Sequence, residues 1–117
     1  MIKTFENFNQ DDFYIKVDAN LFKERAIIMP INIYSKLEDK LSNNGFICEY
    51  DRDIKNFRLK ATNGPFSKKM VLFISSFKDE YYKVTYWIGD GDIEKYICDQ
   101  LDGLYKLLYD KGLIKEI

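Results

Sequence analysis

Apolar positions in this chain recur with two different periods. Ile33, Leu37 and Leu41 stand at i, i+4 and i+8 with Tyr34 beside them, while Lys36, Glu38, Asp39 and Lys40 take the other side. That spacing predicts an amphipathic helix. Asn32 can cap its start. Asn44-Gly45 followed by Phe46 offers the positive-φ residue and the apolar contact of a Schellman end. A second helix is predicted from Asp99 to about Lys111, with Leu101, Leu104, Tyr105 and Leu108 as its stripe. Asp99 reads as its cap and Asp102, three residues on, as the partner in a capping-box-like start. Gly103 reads as a point of close helix packing, and Gly112-Leu113 repeats the C-terminal signal.

Elsewhere the period is two. Strands are predicted at 13–17, 46–50, 57–61, 70–77 and 81–88, with a further short strand before the last helix. Asp18 looks like the cap of a brief helix through Leu21, Phe22 and Arg25, and the apolar run 26–29 stops at Pro30. The polar stretch 51–56 reads as a hairpin loop. Phe57, Leu59 and Ala61 then face inward, and Arg58 and Lys60 face water. The continuously apolar segment 70–77 suits a central strand. In the next strand Tyr82, Val84, Tyr86 and Ile88 share one face, and Tyr81, Lys83, Thr85 and Trp87 share the other. Turns are predicted at 63–65, 78–80 and 89–92.

The expected fold is α+β: one domain over residues 1–117, with an antiparallel sheet of about four to five strands and two main helices packed on one face. The other face would stay accessible and expose Tyr81 and Trp87.

The composition fits this picture. At 46% hydrophobic residues, including 9 Phe, 9 Tyr and 1 Trp, the chain can bury a core. The formal net charge is −1, which gives no global field toward nucleic acid or membrane. Locally the charge is uneven. Residues 52–69 hold Arg52, Lys55, Arg58, Lys60, Lys68 and Lys69 against Asp53 alone. Residues 79–102 hold seven acids against Lys83 and Lys95. The expectation is that these oppositely charged strands pair across the sheet; two separate surfaces are the alternative. No apolar run approaches the length of a membrane span and the N-terminus lacks a signal-type apolar region, so the chain reads as soluble and cytoplasmic.

Candidate chemistry is sparse. There is no histidine, which removes Ser–His and Cys–His nucleophiles and histidine-ligated zinc. Cys48 and Cys98 form neither a disulfide framework nor a metal cluster and read as core. The sequence Gly89-Asp90-Gly91-Asp92 lacks the remaining positions of a calcium loop and reads as a turn. Asp99 and Asp102 at a helix start are held ionised, the wrong state for a general acid. Asn63-Gly64-Pro65 is no phosphate loop. No catalytic residue, metal or cofactor is therefore assigned.

Two stretches resemble known sequences. The opening Met1-Ile2-Lys3-Thr4-Phe5-Glu6-Asn7-Phe8 resembles that of many small proteins from phages of low-GC hosts. The second stretch is Asp79-Glu80-Tyr81-Tyr82-Lys83-Val84 followed by Tyr96-Ile97-Cys98-Asp99-Gln100-Leu101-Asp102-Gly103-Leu104. It is similar to a tail in uncharacterised phage and large-virus proteins, where D-E-W-F-Y-V precedes Y-Y-K-C-D-Q-F-D-G-L-L. Here Ile97 stands where that tail has Lys, and Tyr81-Tyr82 replace Trp-Phe. The tail carries no activity, so the resemblance implies only a small phage-type accessory protein.

The functional expectation is a non-catalytic protein, encoded by a phage or mobile element, that binds and inhibits a host defence protein in the host cytoplasm as a monomer or homodimer. Its contact residues would be Tyr81, Lys83, Trp87, Asp90 and Asp92. One alternative is a nucleic-acid-binding module using Arg52, Lys55, Arg58, Lys60, Lys68 and Lys69. Another is a toxin-immunity protein, which would also act by protein contact.

Overall fold

Strand formers with alternating burial dominate the described chain, and the backbone follows them. The computed structural model describes residues 13–18, 29–53, 56–62, 70–77, 80–88 and 92–117. Among these the elements run β1 (Tyr14–Val17), α1 (Ile31–Ser42), β2 (Ile47–Asp53), β3 (Asn56–Thr62), β4 (Met70–Phe77), β5 (Tyr81–Ile88), β6 (Asp92–Asp99) and α2 (Gln100–Asp110). The six strands form one antiparallel sheet in the order β1-β6-β5-β4-β3-β2. The fold is α+β, as the periodicities indicate, with six strands instead of four or five. The difference lies in β6, which is eight residues long and pairs with β5 over its whole length.

Period-two alternation sends one set of side chains toward the helices. Leu59 and Ala61 of β3, Leu72 and Ile74 of β4, Tyr82, Val84 and Tyr86 of β5, and Tyr96 and Cys98 of β6 are all buried there. Leu37 and Leu41 of α1, and Leu104, Leu107 and Leu108 of α2, close the core from above. The helices divide the work: α1 lies over β2, and α2 over β6, β5 and β1. Each fully buried aliphatic side chain contributes roughly 1.5–3 kcal/mol by leaving water. Tyr50 Oη donates to the Met29 carbonyl at 3.0 Å, tying the segment before α1 to β2.

Both helix ends obey the sequence signals. Gly45 has φ +90°, the Phe46 N–H donates to the Leu41 carbonyl at 3.1 Å, and Phe46 is buried. Gly112 has φ +72°, the Leu113 N–H donates to the Leu108 carbonyl at 2.8 Å, and Leu113 is buried. These are Schellman ends with their apolar contacts in place.

The helix starts differ from expectation. Pro30 holds the N-cap position of α1, and Asn32 lies inside the first turn. Proline suits a helix start because the N–H it lacks has no partner there. Asp99 holds the N-cap position of α2, but its side chain makes no capping bond. The chain instead enters α2 through Gln100 at φ +60°, whose N–H donates to the Glu80 carbonyl at 2.9 Å. Glu80 itself has φ +66°. It ends the three-residue link between Phe77 and Tyr81, where hairpins of this length place a left-handed residue.

Two further expectations are corrected. Residues 51–53 and 56 belong to strands, since Asp53 pairs with Asn56 and leaves only two residues between β2 and β3. The oppositely charged segments also do not pair, because β4 lies between β3 and β5. Nothing in Met-Val-Leu-Phe-Ile-Ser-Ser-Phe carries charge, so this strand separates the basic and acidic parts of the chain. The brief helix expected after Asp18 and the turns at 63–65 and 89–91 lie outside the described residues.

Gly103 sits where α2 meets the start of β1. A Cβ there would overlap the Phe13 carbonyl oxygen, which accepts the Asp99 N–H at 2.9 Å. Gly103→Ala should therefore destabilise the fold by about 2–3 kcal/mol. Urea unfolding checks this: the midpoint should fall with no change in slope.

Candidate functional site

The antiparallel register decides which side chains share the sheet face turned away from α1 and α2. Ile93 pairs with Trp87, Trp87 with Val71, Val71 with Thr62 and Thr62 with Ile47. Direct cross-strand partners lie on the same face with Cβ atoms about 5 Å apart. These five residues therefore form one row running straight across β6, β5, β4, β3 and β2. The row carries no charge, yet Ile47 is 61% exposed, Ile93 52% and Trp87 38%, with Val71 and Thr62 half-buried.

The next row reads Val17, Lys95, Thr85, Phe73, Lys60 and Glu49, and the row after it Ile15, Ile97, Lys83 and Ser75. Lys60 Nζ lies 3.6 Å from Glu49 Oε1, an exposed pair of small energetic value. The face is not uniformly open. At its β1–β6 end Ile15, Val17 and Ile97 are buried, and Tyr81 packs against them. Alternation thus places Tyr81, Lys83 and Trp87 on one face, as expected, but Tyr81 is half-buried and Trp87 is the exposed aromatic. Asp90 lies outside the described residues, as do Lys55, Lys68 and Lys69. Asp92, Arg52 and Arg58 stand in strands. Ile93, Ile47 and Val71 were not singled out in the sequence. Alternation gives the face of each, but only the register aligns them.

Polar clusters occupy the helix side. Glu94 takes a hydrogen bond from Tyr96 Oη at 2.7 Å, with Lys16 Nζ at 3.4 Å and Lys111 Nζ at 3.5 Å. The Tyr96 bond, helped by the two lysines and opposed by partial burial, holds the Glu94 carboxyl below its ordinary range. Tyr14 Oη donates to Asp110 Oδ2 at 2.6 Å and Lys106 Nζ to Oδ1 at 2.9 Å. Burial and the Asp110 contact push the Tyr14 hydroxyl up to about 12. These carboxylates stay ionised and their tyrosines stay protonated. The clusters join β1, β6 and α2 instead of supplying a group that titrates near neutrality.

The cysteines behave as core residues. Cys98 is fully buried, and burial raises its thiol strongly. Cys48 is half-buried with its thiol pushed up to about 11, chiefly by burial. A separate open cleft of about 280 Å³ lies where the first turn of α1 (Pro30, Asn32, Ile33) approaches Ser76, Glu80, Tyr81 and Tyr82. Its lining mixes a carboxylate, a hydroxyl and aromatic rings.

Two measurements check these electrostatics. At about pH 8 a thiol reagent should label native Cys48 at least about tenfold more slowly than free cysteine and leave Cys98 unmodified, because raised pKa values keep thiolate scarce. Both should react quickly in denaturant. The depressed carboxyl of Glu94 stabilises the fold above its unfolded pKa of about 4.3 and loses that effect as pH falls through its lower folded value. Wild type should exceed Glu94→Gln in stability at neutral pH, and chemical unfolding should show the gap closing in the acid range.

Among the described residues no helix is long and apolar enough to cross a membrane. Compared with known proteins, the chain matches no family model, no curated protein and no solved structure.

Proposed function

We propose that this chain is a non-catalytic binding protein that acts by docking the row Ile93–Trp87–Val71–Thr62–Ile47 onto another protein. The observation that carries this is the row itself. Three large apolar side chains are exposed and aligned by register across five strands. Isolated exposed apolar residues are ordinary, whereas a contiguous row is the mark of a contact surface. Trp87 stands second in it, and tryptophan is the side chain most enriched at interface hot spots.

The finer reading follows the resemblance of the chain's ends to phage-type accessory proteins. The partner is a host protein, a defence component in the host cytoplasm, and binding inhibits it. Toxin immunity would use the same surface in the same way.

Trp87→Ala tests this reading. The variant should keep its circular dichroism and unfolding midpoint, because Trp87 is not in the core. Its affinity for the partner recovered from host lysate should fall by at least about thirtyfold, the effect of a hot-spot truncation near 2 kcal/mol. Tyr109→Ala on α2, at an aromatic 45% exposed away from the sheet, should bind as wild type does. Equal recovery by Trp87→Ala would sink the proposal.

A further inference from the structure

The cleft of about 280 Å³ at the first turn of α1 opens on the helix side of the sheet, away from the exposed row. We propose that it binds an α-amino acid, or the N-terminal residue of a peptide presenting the same groups: an ammonium beside a carboxyl or carbonyl oxygen, with an apolar side chain. The hydroxyls of Ser76 and Tyr82 carry this. The two residues are direct cross-strand partners, so they stand side by side on one face. Each is only 6% exposed, and each lines the cleft. Neither hydroxyl has a hydrogen-bond partner among the described residues. Yet no fully enclosed side-chain nitrogen or oxygen among those residues lacks one. Both oxygens must therefore open onto the cleft. Buried polar groups in native proteins are met by protein, water or ligand, so these two are placed to bind what enters.

Most polar groups around the cleft are donors. α1 starts at Pro30 without a side-chain cap, and the N–H groups of Ile31 and Asn32 have no partner among the described residues. A helix start of this kind is electropositive. Burial, reinforced by Glu80, raises the Tyr82 hydroxyl, which stays protonated and able to donate. These donors suit a carboxylate or carbonyl oxygen. Glu80 has the opposite character. It is exposed at the rim and forms no ion pair among the described residues. Its carboxylate opposes a simple anion and accepts an ammonium. An α-amino acid carries both groups on one carbon, and Pro30 and Ile33 offer its side chain an apolar wall. The size agrees, since drug-sized ligands occupy about 300–1,000 Å³ and this cleft falls just below that range. The site is separate from the docking row and does not rest on it.

Chemical-shift titration of the isotope-labelled protein with free L-leucine and L-phenylalanine tests the proposal. A ligand this small should bind with a Kd between about 10 µM and about 10 mM, moving the amide signals of Ile31, Asn32, Ser76 and Tyr82. N-acetyl-L-leucine lacks the ammonium and isoamylamine lacks the carboxylate; each should bind at least about tenfold more weakly than leucine. Glu80→Gln should weaken leucine by a similar factor. Ser76→Ala/Tyr82→Phe should weaken leucine but leave isoamylamine unchanged. Glu80→Gln, at an exposed position, keeps the test decisive where the double variant fails to fold. Trp87→Ala, on the other face, should bind leucine as wild type does, so failure of this site and failure of the docking row are distinguishable.

Leucyl-glycinamide separates the two sources of the ligand. Binding as tight as that of leucine makes a peptide N-terminus the ligand, and binding at least about tenfold weaker makes it the free amino acid. No shift at these amides with either amino acid or the dipeptide at about 20 mM would overturn the proposal. So would equal binding of N-acetyl-L-leucine, wild-type binding by Glu80→Gln, or tighter binding of inorganic phosphate than of leucine.

Discussion

The antiparallel register between β3, β4, β5 and β6 is the constraint on which everything else rests. Successive side chains on a strand point to opposite faces, so a slip of one residue would carry every core residue of that strand to the other side. Here the helix side of the four strands is filled by Leu59, Ala61, Leu72, Ile74, Tyr82, Val84, Tyr86, Tyr96 and Cys98. Burying these side chains under α1 and α2 fixes the register. The far face is then not free to vary: Ile93, Trp87, Val71, Thr62 and Ile47 fall into line because their neighbours in sequence are locked in the core.

The second organising feature is the corner where β1, β6, the β4–β5 link and α2 meet. Gly103 lets α2 approach the Phe13 carbonyl, which in turn holds the Asp99 N–H. Glu80 and Gln100 both adopt left-handed backbone, and one hydrogen bond joins them. A non-glycine residue in that region costs about 1 kcal/mol or more. The surrounding packing offsets the cost, since the hydrogen bond and the buried helix would both be lost if either residue relaxed. The ionic clusters around Glu94 and Asp110 join β1 and β6 to the C-terminal end of α2. Polar chemistry in the described part of this protein is thus largely spent on joining elements.

Local features that depend on a few adjacent residues were readable in advance. The ends of α1 and α2 are examples, since Gly45-Phe46 and Gly112-Leu113 need only a positive φ and a nearby apolar residue. The central place of β4 followed from its continuous apolar run, the burial of Cys98 from its reading as a core thiol, and the two faces of β5 from simple alternation. Where sequence reasoning failed, a tertiary contact had overridden a local preference. Asp99 has the right identity and position for a cap, yet its side chain makes no capping bond, and the chain enters α2 through Gln100 at φ +60°, tied by its N–H to the Glu80 carbonyl from another part of the chain. Residues 51–53 and 56 are polar enough for a loop, yet β3 pairs with β2 through them. The charge blocks could have attracted each other, but β4 lies between them.

By itself, the sequence determined the fold class, the face of the sheet on which each β5 residue stands, and the absence of histidine chemistry. These follow from period, composition and alternation, which are properties of neighbouring residues. The tertiary structure decided which strand lies beside which, and so which side chains of different strands come together. It packed Tyr81, half-buried, against Ile15, Val17 and Ile97 and left Trp87 open, although alternation puts both on one face. It also aligned Ile47 and Ile93, forty-six residues apart in sequence, at two ends of one row. Strand pairing is set by the packing of the whole core, and no short stretch of sequence contains that information.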